Sequence, residues 1–277
     1  MVKEKLFMNF HKSKRQYSLY LVGGLILISW LVATPAGILG KSDAVGYAVC
    51  HRIDTRSFHI GIIQLPLCAR CTGQYLGAIT GLLFLGIFGQ RRTGTPPRYI
   101  LGILIMLVLA YAVDGLNSYL YLPPIIKIFP GMPHLYQPSN TMRLITGTGL
   151  GLVIAILLYP TFVGSIIPAP DPRPVIRNIK SMIVLLSLGV IVDLLILTGS
   201  KYVLLPAALL STGGVVLLLT MVYTIIWIRI FHQENQFNRI SQITMQLIAG
   251  FIVTITQIAF FDLFRFIITG TWNGIMF

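Results

Sequence analysis

The chain has 277 residues, 55% of them hydrophobic and only 10% charged, where a soluble domain carries about 25% charged residues. Apolar runs recur along the whole length, which excludes a soluble domain with a single anchor and indicates a polytopic membrane protein. The net charge of +13 sits between those runs, where basic residues set membrane topology, so it does not indicate a nucleic-acid partner.

In chain order, the basic N-terminus MVKEKLFMNFHKSKRQ precedes an apolar run from Tyr17 to Leu31. The following VATPAGILG has no small-x-small cleavage pattern and contains Pro35, so the run is expected to be an uncleaved first helix. Seven segments approach the roughly 20 residues that a spanning helix needs. They are 18–39, 73–89, 99–120, 144–163, 179–198, 203–228 and 243–268. The second is short, so its helix is expected either to begin a few residues earlier or to lie deep in the bundle. The moderately apolar stretch 44–67 fits a re-entrant or interfacial element, tolerated where protein or water satisfies its backbone. Proline-rich TGTPPR and IPAPDPRPVIR mark two connections. The second divides the chain into a four-helix region, 1–167, that carries the loop 44–72, and a three-helix extension, 168–277. The expected fold is an all-α transmembrane bundle of about seven helices.

With the N-terminus inside, the inner loops hold Lys3, Lys5, Lys12, Lys14, Arg15, Arg91, Arg92, Arg98, Arg173, Arg177, Lys180, Arg229 and Arg239. The outer side holds Lys41, Arg52, Arg56, Arg70, Lys127, Arg143, Lys201 and Arg265. Thirteen against eight favours an inside N-terminus and an outside C-terminus, with the bacterial cytoplasmic membrane as the expected location. Half of the outer basic residues fall in the cysteine segment or at Arg143, which points to a site.

Polar residues collect at that same level. Asp114 and Asn117 lie near the outer end of the third segment, Asp193 near that of the fifth, and Asp262 with Arg265 near that of the seventh. Asn140, Arg143 and Thr146 open the fourth, and Thr72, Gln74 and Tyr75 open the second. Ionised groups in a membrane are costly unless paired or hydrated, so this grouping predicts a polar cavity open to one side and lined by Asn117, Asn140, Asp193, Asp262 and Arg265. The competing reading lets each group reach interfacial water alone. Gly73, Gly77 and Gly81, with Gly147 and Gly151, form stripes that let helices approach closely.

All three cysteines fall in CHRIDTRSFHIGIIQLPLCARCTGQYLG, residues 50–77. Cys50, His51, Cys68 and Cys71 supply a full tetrahedral zinc set, with Cys68 and Cys71 as the usual close pair; His59 is the alternative if adjacent Cys50 and His51 do not converge. Four filled positions make such an ion structural. The same Cys68–Cys71 spacing fits a thiol–disulfide pair, in which case no metal is needed and the flanking arginines are expected to favour thiolates. A third reading makes Arg52, Arg56, Arg70 and Arg143, beside Asp114 and Asp193, a holder for a phosphate-bearing lipid head group. His59 and His134 are candidate bases near outer water.

The cysteine run, followed by DG at 114–115 and NTMRLITGTGLG at 140–151, resembles the DUF2085 family of predicted bacterial membrane proteins. The resemblance covers roughly 45–155, a little under half of the chain. It implies that Cys50, His51, Arg56, Ser57, Cys68, Arg70, Cys71, Thr72, Gly73, Asp114, Asn140, Arg143 and Gly147 match the family pattern, and it assigns them no role.

The expected function is therefore an integral membrane protein with an outer zinc site over a polar cavity, acting on a lipid or other amphiphile. Catalysis would then rest on Asp114, Arg143, Arg56 and Arg70. The alternatives are an accessory subunit of a membrane complex, with protein partners, and a membrane thiol–disulfide protein.

Overall fold

A computed structural model of the chain describes residues 2–129, 131, 133–237 and 239–273, with side chains from residue 17 onward, 240 excepted. The side chains of Lys3, Lys5, Lys12, Lys14 and Arg15, counted above as inner, lie outside the described residues. The first helix, α1, is Val2–Ala33. It ends at the sequence Thr34-Pro35-Ala36, because proline cannot donate to the preceding turn. The chain then bends by 104° into α2, Gly37–Val49. The expected first segment, 18–39, thus stops six residues early, and its tail belongs to a separate helix.

After a 3₁₀ turn at Asp54–Arg56 comes a hairpin of β1, Ser57–Ile60, and β2, Ile63–Cys68. Its strands pair antiparallel, with Ser57 opposite Cys68 and Ile60 opposite Ile63. Gly61 turns the chain at φ +61°, a conformation that glycine adopts without steric cost. The expected interfacial stretch is therefore a helix end, a turn and a hairpin.

The remaining helices are α3, Ala69–Phe88; α4, Arg98–Leu120; the short α5, Pro123–Ile128; α6, Asn140–Ile166; α7, Ile179–Leu197; α8, Lys201–Ile230; and α9, Thr244–Thr269. Among the described residues, six helices are long and apolar enough to cross a membrane, or seven spans if the bent α1–α2 pair counts as one. The bundle is all-α and polytopic. Local chemistry sets several starts: Ser139 Oγ accepts from the Met142 amide at 3.2 Å, and Asn178 Oδ1 from the Ser181 amide at 2.9 Å, each capping a helix.

α3 and α6 pack backbone against backbone. A Cβ on Gly77 would stand 2.4 Å from the Thr148 carbonyl oxygen, and one on Gly147 2.2 Å from that of Arg70, so the glycine stripes are the contact itself. One apolar core joins Phe84 and Leu85 to Ile100, Leu104, Leu152, Ile156, Met182 and Leu185. A second gathers Trp30, Ala44, Val45, Leu67, Val215, Ile255 and Ile258 around Cys50 and Cys68. α8 and α9 pack on α1, α2 and α3. At the opposite end the two proline-rich connections meet, with β3, Arg92–Gly94, parallel to β4, Asp171–Pro174. Arg173 Nη2 stands 2.6 Å from Asp171 there.

Candidate functional site

The hairpin brings Cys68 back to Cys50, and the Cys68 amide donates to Cys50 Sγ at 3.3 Å. Cys68 is the N-cap of α3, so Cys71, three residues on, comes round to the same face. The result is a group of three sulfurs, Cys50, Cys68 and Cys71, all within 4.8 Å of one another. All three thiols are free; Cys50 and Cys68 are buried and Cys71 is partly buried. Two further bonds tie the loop down: Gln64 Nε2 donates to the Arg52 carbonyl at 2.9 Å and to Ser57 Oγ at 2.8 Å.

His51 Nδ1 lies 3.6 Å from Cys50 Sγ, so the two neighbours do converge, although the imidazole stands outside the three-sulfur group. His59, the alternative fourth ligand, is engaged elsewhere, with Nε2 2.8 Å from Asp54 Oδ1. Arg52 takes φ +51°, turns the chain beyond the pair and donates its amide to Cys50 Sγ at 3.5 Å. Hydrogen bonds from the Cys68 and Cys71 thiols to Cys50 hold its thiol well below the ordinary range, with His51 adding to the effect. Donation to Cys50, with burial, pushes Cys68 up to about 12. The arginines were expected to favour the thiolates; at Cys50 the neighbouring thiols and His51 do so instead, because Arg52 is turned away to Asp43.

That pair is Arg52 Nη2 to Asp43 Oδ1 at 2.8 Å. Arg52 also donates to the Trp272 carbonyl at 3.3 Å. Arg265, on α9, donates to the carbonyls of Tyr47 and Cys50 at 2.6 Å each and of His51 at 3.2 Å, and its guanidinium lies 4.1 Å from the Tyr47 ring centroid. A cation at the C-terminal carbonyls of α2 is the favourable end for its charge.

A second polar group adjoins the cysteines. Arg70, one residue before Cys71, donates to the Asp114 carboxylate and to Ser118 Oγ at 3.0 Å. Asp114 is 1% exposed and also accepts from Tyr136 Oη at 2.8 Å and Thr146 Oγ1 at 3.3 Å. Burial and that hydrogen bond to Asp114 push the Tyr136 phenol up to about 12. Arg56 Nη2 donates to the Ser118 carbonyl at 2.8 Å, and burial, then the like charge of Arg70, lowers its pKa. Arg143 Nη1 donates to Asn140 Oδ1 at 2.8 Å. Asn117 clamps the loop above through the Tyr136 carbonyl, 2.9 Å, and the Leu135 amide, 3.0 Å.

Asp193 and Asp262 belong to neither group. Thr148 Oγ1 donates to Asp193 at 2.6 Å, and Trp30 Nε1 to Asp262 at 2.9 Å. His134 packs on Tyr121 with the rings tilted and 4.1 Å between centroids. Ser118, Tyr136, Tyr47 and Trp272 escaped the sequence reading. Ser118 carried a faint signal, four residues after Asp114 on one helix face; Tyr136 and Trp272 contribute through loop closure and Tyr47 through the packing of α2, which no local pattern announces.

Fold and cluster together define a polytopic helical membrane protein with three cysteines gathered at one end of the bundle. Residues 50–157 match the DUF2085 family, described as "Predicted membrane protein". The chain is 28% identical over 109 residues to an uncharacterised protein of Methanothermobacter thermautotrophicus, covering 39% of this chain and 83% of the relative. It is 26% identical over 161 residues to an uncharacterised protein of Methanocaldococcus jannaschii, covering 54% of this chain and 94% of the relative. Both relatives are archaeal, so the matches do not specify the bacterial membrane that the sequence leads one to expect. No solved structure matches the chain.

Proposed function

We propose that the protein is a multi-pass protein of the cytoplasmic membrane that carries one zinc ion on Cys50, His51, Cys68 and Cys71. The ion clamps the loop 50–71 over the helix ends and so holds Arg56, Arg70, Asp114 and Arg143 as a polar site at the membrane boundary, facing outward on the charge bias of the loops. The observation that carries this reading is the group of three sulfurs within 4.8 Å. Tetrahedral zinc with Zn–S of about 2.3 Å and Zn–N of about 2.05 Å implies sulfur–sulfur edges of about 3.8 Å and sulfur–nitrogen edges of about 3.6 Å. The Cys50–His51 separation of 3.6 Å meets one sulfur–nitrogen edge; the imidazole, which stands outside the three-sulfur group, has to swing toward Cys68 and Cys71, and the sulfurs to contract, to complete the set. Backbone amides directed at Cys50 Sγ are the outer-shell donors that a bound thiolate favours. Four protein ligands leave no open position, which makes the ion structural.

Elemental mass spectrometry tests this on protein purified without chelator or nickel affinity. About one zinc per chain is expected, with loss in a Cys68→Ser, Cys71→Ser variant. A metal-free chain with a Cys68–Cys71 disulfide would instead establish the thiol–disulfide reading.

A further inference from the structure

Between α3, α4, α6 and the 3₁₀ turn, three guanidinium groups gather near one buried carboxylate, Asp114, which only Arg70 contacts. Arg56 and Arg70 meet at Ser118, on its carbonyl at 2.8 Å and its hydroxyl at 3.0 Å. Arg143 joins them through Asn140, whose amide donates to the carbonyls of Thr55 and Ser57, on either side of Arg56, at 3.3 Å each. Each guanidinium lies within electrostatic range of the other two. Asp114 is already taken by Arg70, Tyr136 and Thr146. Asp54, two residues before Arg56, is 75% exposed and turned to His59. Three positive charges against Asp114 leave a formal excess of two, or of one where the thiolate charge at Cys68 beside Arg56 and Arg143 is included.

The donors are not used up either. Arg143 is 7% exposed, and its Nε, like that of Arg70, is buried with no acceptor. A buried charge without a counter-ion is costly, and a buried donor without an acceptor adds to that cost. The group that removes both costs carries one to two negative charges and several acceptor oxygens in the geometry of a guanidinium fork, which is phosphate. The level also fits. Arg143 opens α6 and Arg56 lies just outside the spans, where lipid phosphates sit, and Met142 and Ile145 beside Arg143 are exposed on the apolar surface.

We propose that Arg56, Arg70 and Arg143 form a binding site for a phosphate group at the membrane surface, supplied by a lipid head group or by free phosphate. The proposal names the ligand of the polar site described above; it rests on that part of the reading and not on the zinc ion.

The test uses the full chain in neutral detergent, titrated calorimetrically with dihexanoyl phosphatidic acid, inorganic phosphate and dihexanoylglycerol. Saturable binding of phosphatidic acid is expected, weakened at least about tenfold in both Arg56→Gln and Arg143→Gln, with no binding of the uncharged glycerolipid. Inorganic phosphate binding as tightly as phosphatidic acid supports the site with free phosphate as its source; phosphatidic acid alone binding supports the site with a lipid source. Absence of saturable binding by either, or equal affinity in wild type and both variants, overturns the proposal. Arg56 is half-buried in a short turn, so Arg56→Gln keeps the fold and serves where Arg143→Gln does not. Zinc content measured on the same samples separates failure here from failure of the metal reading.

Discussion

The contact between α3 and α6 positions Arg70 and Cys71 against Arg143, and Gly77→Ala is the perturbation that reports on it. A Cβ on Gly77 would meet the Thr148 carbonyl oxygen at 2.4 Å and its Cα at 2.9 Å, where ordinary contact begins at 3.4 Å. Both atoms are backbone, so no rotamer change relieves the overlap and the helices must part by about 1 Å. Overpacking costs about 1–3 kcal/mol, and the absence of a yielding side chain puts this site in the upper half, about 2–3 kcal/mol. At roughly 2–4 °C per kcal/mol for a chain of this size, the midpoint of thermal unfolding falls by about 4–12 °C. The control is Gly86→Ala on the same helix, where nothing lies within 4 Å of the added atom and better helix propensity leaves stability unchanged or raised by up to about 1 kcal/mol. The assay is thermal unfolding in one detergent, followed by circular dichroism. If Gly77→Ala melts with wild type, or above Gly86→Ala, the close α3–α6 approach is wrong.

Three further outcomes follow from the contacts. Asp114→Ala leaves Arg70, 16% exposed at its side chain, without its counter-charge and is expected to destabilise by about 3–5 kcal/mol, against about 1 kcal/mol for Ser118→Ala; denaturant midpoints compare the two. Trp30→Phe removes the donor to Asp262, whose other oxygen is already buried without a partner, and should cost about 1–3 kcal/mol, read from the same unfolding curves. Chelation should raise maleimide labelling of Cys71, the partly exposed member of the three, at least about tenfold, since metal-bound thiolates are shielded; equal rates at Cys71 with and without chelator would count against a bound ion.

The spans were legible because a bilayer imposes one long apolar pattern on each helix, and the glycine stripes on α3 and α6 named their own contact. Clustering of Cys50, Cys68 and Cys71 was legible from residue type alone. The route by which they meet was not: the bend at Pro35, the helix α2 and the hairpin 57–68 are short, and their hydrophobic periods overlap. Partners far apart in sequence were equally hidden. Trp30 with Asp262, and Arg265 with the carbonyls of Tyr47 and Cys50, depend on where α9 packs, which no local spacing encodes. The two proline-rich connections read as separate loops, yet Arg92 pairs with Asp171 across them, because the helices they follow end side by side. Grouping polar residues by expected depth did not reveal the partners of Asp114, Asp193 and Asp262. Thr148 and Trp30 hold the last two individually, while only Asp114 joins the arginines.

X-ray absorption at the zinc edge reads out the proposed set of three thiolates and one imidazole at the end of the bundle. About three sulfurs near 2.3 Å and one nitrogen near 2.05 Å are expected, with the nitrogen replaced by a solvent oxygen in His51→Ala. A first shell of oxygen and nitrogen alone, in protein that carries zinc, would contradict it.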